Sequence, residues 1–177
     1  WNDQKLSTIH DMYSVNFIDN KTGFVVGESG TIFKSTDGGT SWTAQASGTR
    51  ERLESVYFVN KNTVFVSGNN GIVLKTTDGG ANWLIQSTST ENTLSALAFV
   101  DEQTGCAVGE HGIIAQTVNG GSNWMQHSGG IGKWLTSVIF SDRKTGWVFG
   151  DKGIILKTTN CGKDWVVQKS GTNNWLE

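Results

Sequence analysis

The chain has 177 residues, 36% of them hydrophobic and 10% aromatic, enough for one packed domain. Its 14 Lys and Arg against 16 Asp and Glu give a net charge of −2, which excludes a nucleic-acid binder working through a basic patch. No apolar run of about 18 residues is present to span a bilayer, and the two cysteines are too few for a disulfide framework or a zinc cluster.

The first predicted element is an alternating strand at Val15-Asn16-Phe17, followed by a compact apolar strand at Phe24-Val25-Val26. A Gly-x-x-Gly turn, Gly27 to Gly30, leads into a third strand, Thr31-Ile32-Phe33-Lys34, and a fourth is expected to begin at Trp42. The same series then recurs. Trp1, Trp42, Trp83, Trp124 and Trp165 are each 41 residues apart, and so are Gly27, Gly68, Gly109 and Gly150. Phe17, Phe58, Phe99 and Phe140 keep the same step without one insertion. No segment carries a sustained helical period. Short strands, Gly-bearing turns and a period near 40 predict an all-β propeller of four-stranded antiparallel blades, because a single sheet cannot bury both faces unless neighbours stack on it.

The expected division is one propeller array over 1–177: a fourth strand of a preceding blade at 1–5, repeats at about 6–46, 47–87, 88–128 and 129–169, and the start of a further repeat at 170–177. Starting and ending inside a repeat fits a slice of a longer propeller best. The alternatives are a ring closed by its own surplus strand, or a ring or stack completed by another copy.

The turn before each fourth strand reads Ser35-Thr36-Asp37-Gly38-Gly39-Thr40-Ser41-Trp42, and its counterparts carry Asp78 with Trp83, Asn119 with Trp124, and Asn160 with Trp165. The spacing S/T-x-D-x-G-x-x-W has a local chemistry. The Asp or Asn oxygen accepts N–H groups of its own turn. The Gly takes a positive φ, and the Trp buries a large apolar face. Asn119 and Asn160 keep the acceptor but not the charge, which fits turn holding better than calcium binding. The pattern resembles the Asp-box of BNR repeats. The whole unit, as in Thr22-Gly23-Phe24-Val25-Val26-Gly27 running to Trp42, resembles the photosystem II stability/assembly factor-like family. The resemblance covers essentially the whole chain through four copies. It implies a non-enzymatic, exported propeller acting as an assembly chaperone or surface-associated binding module, with no cofactor. Photosynthetic members carry an arginine-rich patch for their client; here only Arg50 and Arg52 lie close together in sequence, among three arginines.

Enzyme chemistry finds little support in the residues. A sialidase of the Asp-box type needs an arginine triad and a Tyr nucleophile, whereas Tyr13 and Tyr57 fall at different phases of their repeats. A paired-carboxylate glycosidase would draw on Glu28, Glu110 and Asp151, which share one turn position with Asn69; polar residues there are expected as turn formers. His10, His111 and His127 occupy three phases, so no metal site is expected. Cys106 is expected as a small core residue, at a phase different from that of Cys161 and unpaired with it; Trp147 is expected in the core.

The resemblance to propellers implies that a ligand binds through the loops joining blades and the turns between second and third strands. Residues that depart from the repeat there are the better candidates. Trp134 and Trp175 replace the polar Asp11, Arg52 and Thr93 of other repeats, and an aromatic at such a position stacks on a sugar or anchors a protein. Arg50 and Arg52 with Glu51 suit an acidic peptide, and Glu110, His111 and Asp151 complete the candidate binding set. The function expected is a non-catalytic scaffold, exported or at the cell surface, that recognises a protein or carbohydrate and not a nucleic acid. The alternatives are a subunit that self-associates through its terminal strands and a glycan-active hydrolase.

Overall fold

The computed structural model describes residues 6–128 and 131–176. The sequence repeat becomes four sheets of four antiparallel strands, each sheet ordered as its strands follow in the chain. Blade 1 comprises β1 (Met12–Phe17), β2 (Gly23–Gly27), β3 (Ile32–Ser35) and β4 (Thr43–Gln45). Blade 2 holds β5 (Leu53–Phe58), β6 (Val64–Gly68), β7 (Val73–Thr76) and β8 (Leu84–Gln86). Blade 3 holds β9 (Leu94–Phe99), β10 (Gly105–Gly109), β11 (Ile113–Thr117) and β12 (Met125–Ser128). Blade 4 holds β13 (Leu135–Phe140), β14 (Gly146–Gly150), β15 (Ile155–Thr158) and β16 (Val166–Gln168). This is the all-β propeller architecture that the repeat predicts. Each fourth strand begins one residue after the repeated Trp rather than on it. The fourth strand expected at 1–5 lies outside the described residues, and 170–176 carry no strand.

The first strands β1, β5, β9 and β13 pack successively against one another and form the inner edge of the array. No packing of similar extent returns from β13 to β1 among the described residues, so the four blades form an open arc.

The core lies between blades. Phe24, Val26 and Ile32 of blade 1 are buried with Leu53, Val56, Phe58 and Trp83 of blade 2. Phe65 and Val73 repeat the arrangement against Leu97, Phe99 and Trp124, and Cys106, Val108 and Ile114 against Val138, Leu156 and Trp165. Each boundary is thus one outgoing face inserted into one incoming face. Aromatic edges meet there: Phe24 lies 5.6 Å from Trp83 at 84°, and Phe65 stacks 4.3 Å from Phe99. A polar strut accompanies the contact. Lys34 Nζ donates to the Gly79 carbonyl at 2.7 Å, and Lys75 Nζ to that of Gly120 at 2.7 Å. In blade 3 Gln116 Nε2 reaches the Cys161 carbonyl instead.

Trp147 corrects its expectation. It occupies the outgoing position of Phe24, Phe65 and Cys106, but on blade 4 no described blade follows, so it is half-buried beneath Lys157, whose Nζ lies 5.4 Å from its ring centre. Cys106 is fully buried in the core, and both cysteines are free thiols. Their different phases do not keep them apart. Stacking carries the turn holding Cys161 over Cys106, and burial, then the neighbouring Cys161, push the Cys106 thiol up to about 12.

Candidate functional site

Two local devices shape the inner edge. The first is a β-bulge in every blade. Pairing of β1 with β2 jumps from Met12–Gly27 to Ser14–Val26, leaving Tyr13 unpaired. The same jump leaves out Glu54, Ser95 and Thr136 in blades 2, 3 and 4. A bulge bends its strand and re-aims the extra side chain. All four bulge residues line one groove of about 570 Å³, which they share with Arg52 and Trp134, each just before a first strand, with Ser137 of β13 and with Trp175.

The glycine closing each second strand makes the bulge possible. A Cβ on Gly68 would strike the Arg52 carbonyl, and one on Gly109 that of Thr93. Those carbonyls accept the next backbone N–H, from Asn69 and Glu110, at 2.9 and 3.0 Å. The glycine of the 41-residue repeat is therefore fixed by close approach of two backbones.

On one wall of the groove, Arg52 ion-pairs with Glu54, and its guanidinium lies 4.9 Å from the Tyr13 ring centre, a cation–π contact. The Tyr13 hydroxyl donates to Glu28 Oε1 at 3.1 Å. Desolvation, then Glu28, hold this phenol above its ordinary value. Tyr13 is thus a protonated donor at neutral pH, the opposite of an activated nucleophile. On the other wall, Trp134 Nε1 donates to Ser95 Oγ at 2.6 Å, and its ring lies 6.4 Å from that of Trp175 at 50°. Trp175 is 49% exposed. Thr136 Oγ1 donates to the Leu176 carbonyl at 2.5 Å and holds that segment in place.

The structure therefore brings Arg52, Trp134 and Trp175 to one groove. It does not bring the other candidates there. Arg50 is exposed and faces away, beside Ser29 and Gly30, while Glu51 accepts from Asn70 Nδ2 at 2.9 Å. The expected Arg50–Glu51–Arg52 grip is split because the chain bends at Glu51, so that the alternation which would place Arg50 and Arg52 on one side of an extended segment is broken. Glu110 accepts from the Thr93 N–H at 2.9 Å and secures the joining loop. His111 adopts φ 54° in the short 3₁₀ turn, its ring 3.3 Å from Asn92 Oδ1. Asp151 opens the equivalent turn of blade 4. No cluster of metal-ligating side chains occurs among the described residues.

The turns before the fourth strands hold themselves together. Ser41 N–H and Oγ donate to the two Asp37 oxygens at 2.9 and 2.6 Å, and Gly39 N–H donates to Ser35 Oγ at 2.8 Å. Asp78 is held alike by Asn82. Asn119 and Asn160 accept the same backbone bond through Oδ1, at 2.9 and 3.0 Å. Trp42, Trp83, Trp124 and Trp165 lie on the incoming face of their blades, against Phe17, Phe24, Phe65 and Phe140 respectively.

A sequence reading that stops at tryptophans and glycines misses both the bulge residues and a second set of turns. Asp19 Oδ1 accepts from the N–H groups of Lys21 and Thr22, and Asn60, Asp101 and Asp142 do the same. Their spacing of 41 residues is the signal that finds them.

Among solved structures the chain is similar to YCF48 bound to D1 peptide, at 16% identity and TM-score 0.60, over 92% of this chain and 83% of that one. It is also similar to YCF48 from Cyanidioschyzon merolae, at 16% identity and TM-score 0.63, over 97% and 89%. A GH74 enzyme of Niastella koreensis aligns at 18% identity and TM-score 0.71 over 92% of this chain but 30% of its own. At these identities the likeness is one of fold. No curated protein matches the sequence significantly. The sequence profile of the family described as photosynthesis system II assembly factor YCF48 matches residues 1–89 and again 81–171. With that profile spanning nearly all of the repeat array, the chain belongs to the YCF48 assembly-factor family.

Proposed function

We propose that the chain is a non-catalytic scaffold whose inner groove binds an extended segment of a partner protein. The observation that carries this reading is the convergence of four bulges on one groove, each delivering a side chain that departs from the repeat: Tyr13, Glu54, Ser95 and Thr136. Packing demands that core positions repeat. Positions free to diverge, yet held rigidly by a bulge and a glycine, suit recognition. The Trp134–Trp175 corner offers an aromatic platform for an apolar side chain, and Arg52, held over Tyr13, offers donors for a backbone carbonyl or carboxylate. The relative solved with D1 peptide supports a protein rather than a sugar as the ligand.

A hydrolytic reading has less behind it. Glu54 is neutralised by Arg52, Glu28 is engaged by Tyr13, and Glu110 is spent on the Thr93 N–H. The GH74 likeness supports the fold rather than an activity.

Panning a random-peptide library against the immobilised full chain tests the proposal. Enriched peptides should bind Trp134→Ala and Arg52→Ala at least about tenfold more weakly and Arg50→Ala unchanged. Peptides that bind all three variants alike would place recognition elsewhere. Binding on a glycan array, lost in Trp134→Ala, would favour a carbohydrate.

A further inference from the structure

Two of the three internal boundaries are built alike, and the boundary between blades 3 and 4 departs from them at several positions together. At the first two, an aromatic ring of the outgoing face lies against the turn of the next blade. A Cβ on Gly80 would be 2.6 Å from Phe24 Cζ, and one on Gly121 would be 2.7 Å from Phe65 Cε1. At the third boundary Cys106 stands in place of those rings, its Sγ 2.9 Å from where a Cβ on Gly162 would sit. Gln116 replaces Lys34 and Lys75, His127 replaces Gln45 and Gln86, and Cys161 replaces Gly79 and Gly120. The contact is thinner as a result. Phe140 and Trp165 are only partly buried there, whereas Phe58, Phe99, Trp83 and Trp124 are buried.

The two cysteines meet from opposite sides of this boundary. Cys106 Sγ rests against the glycine that directly follows Cys161. Gln116, paired with Cys106 across β10 and β11, donates through Nε2 to the Cys161 carbonyl. Its Oε1 lies 3.2 Å from His127 Nε2, so the turn is held over the sulfur. Cys161 has φ 65°, where Gly38, Gly79 and Gly120 have 65–75°. A residue with a Cβ enters that region against its own sterics. Turn geometry alone calls for glycine at 161, and packing alone calls for a ring at 106. Neither demand accounts for a thiol on each side.

We propose that Cys106 and Cys161 form a disulfide under oxidising conditions, tying blade 3 to blade 4 where the ring and the lysine of the other boundaries are missing. Cys161 is half-buried and Cys106 fully buried, so a small-molecule disulfide meets Cys161 first. The Cys161 thiolate attacks one sulfur of that oxidant, forming a mixed disulfide and releasing one thiol. Cys106 then gives up its proton, attacks Cys161 Sγ and displaces the second thiol. Two electrons pass from the cysteine pair to the oxidant, whose disulfide is reduced to two thiols. Burial, then the neighbouring Cys161, hold the Cys106 thiol protonated, so the second step is the slow one. The same boundary carries the Trp134–Ser95 hydrogen bond of the groove.

Incubating the reduced full chain with oxidised glutathione tests this. The wild type should lose both thiols, as titrated in urea, and gain no glutathione in intact mass. A non-reduced digest should yield one peptide pair joining Cys106 to Cys161. Cys106→Ala should stop at the mixed disulfide on Cys161. Cys161→Gly, which restores the residue of the other three turns, should leave Cys106 free. The link closes a loop running through β11 to β15, so the oxidised wild type should unfold at about 1 M more urea than the reduced one. Cys161→Gly should unfold at the same urea concentration with or without oxidant. A wild type that keeps both thiols, stops at a glutathione adduct or links between chains would overturn the proposal. So would an oxidised wild type no more resistant to urea than the reduced one.

Discussion

At the residue scale, one carboxylate chemistry recurs in two kinds of turn. The side chain and N–H of Ser41 hold the Asp37 carboxyl down to about 2, and Asn82 does the same for Asp78. Backbone N–H groups likewise depress Asp19 and Asp142, and outweigh desolvation to depress Asp101. Each folded-state value lies below the ordinary 3.8. Their contribution to stability is therefore complete above about pH 4 and is lost as the pH falls towards 2. Asn119 and Asn160 make the same backbone bond without a titrating group. The double variant Asp37→Asn/Asp78→Asn should retain its turns, and its melting temperature should fall less between pH 5 and pH 2.5 than the wild type's. An identical pH slope in thermal melts would mean these two carboxylates contribute nothing to acid sensitivity.

At the element scale, the bulge and its glycine act as one unit. Gly109→Ala places a methyl group against the Thr93 carbonyl. Relief requires opening the bulge that presents Ser95, so a cost of about 3 kcal/mol or more is expected, together with weaker peptide binding. Gly48 has φ 75° but open space around its missing Cβ, so Gly48→Ala should cost only about 1–2 kcal/mol and leave binding intact. Chemical denaturation of both variants checks the order; equal losses would refute the close-approach account. This unit also marks how far the sequence could be read. Strand order, turn positions and blade count follow from a period of 41 residues because burial between blades forces Phe17, Gly27 and Trp42 to recur. The groove does not follow from it. Tyr13, Glu54, Ser95 and Thr136 share a phase but differ in size and charge, so nothing in the sequence singles them out until pairing shows the bulge. Trp134 and Trp175 stand out in the sequence because they break a polar position, whereas the separation of Arg50 from Arg52 follows from a bend at Glu51 that the sequence does not announce.

At the scale of the whole molecule, each blade is stabilised chiefly by its neighbours, as in other repeat arrays. One repeat position therefore has a different energetic weight according to whether a blade follows it. Phe65 and Trp147 occupy equivalent places in their sheets and share the lysine above the ring. Phe65 is fully buried, stacked on Phe99 and 6.4 Å from Trp124 of the next blade. Truncating it to Ala removes transfer free energy and leaves a cavity that rigid sheets on both sides cannot fill, so about 3–5 kcal/mol should be lost. Trp147 is only half-buried, so Trp147→Ala should cost about 1 kcal/mol. Urea titrations of the two variants measure the two costs. Equal costs for Phe65→Ala and Trp147→Ala in dilute solution would show that a blade's own sheet, rather than its neighbour, supplies the stabilisation, and the stacking account of the fold would fail.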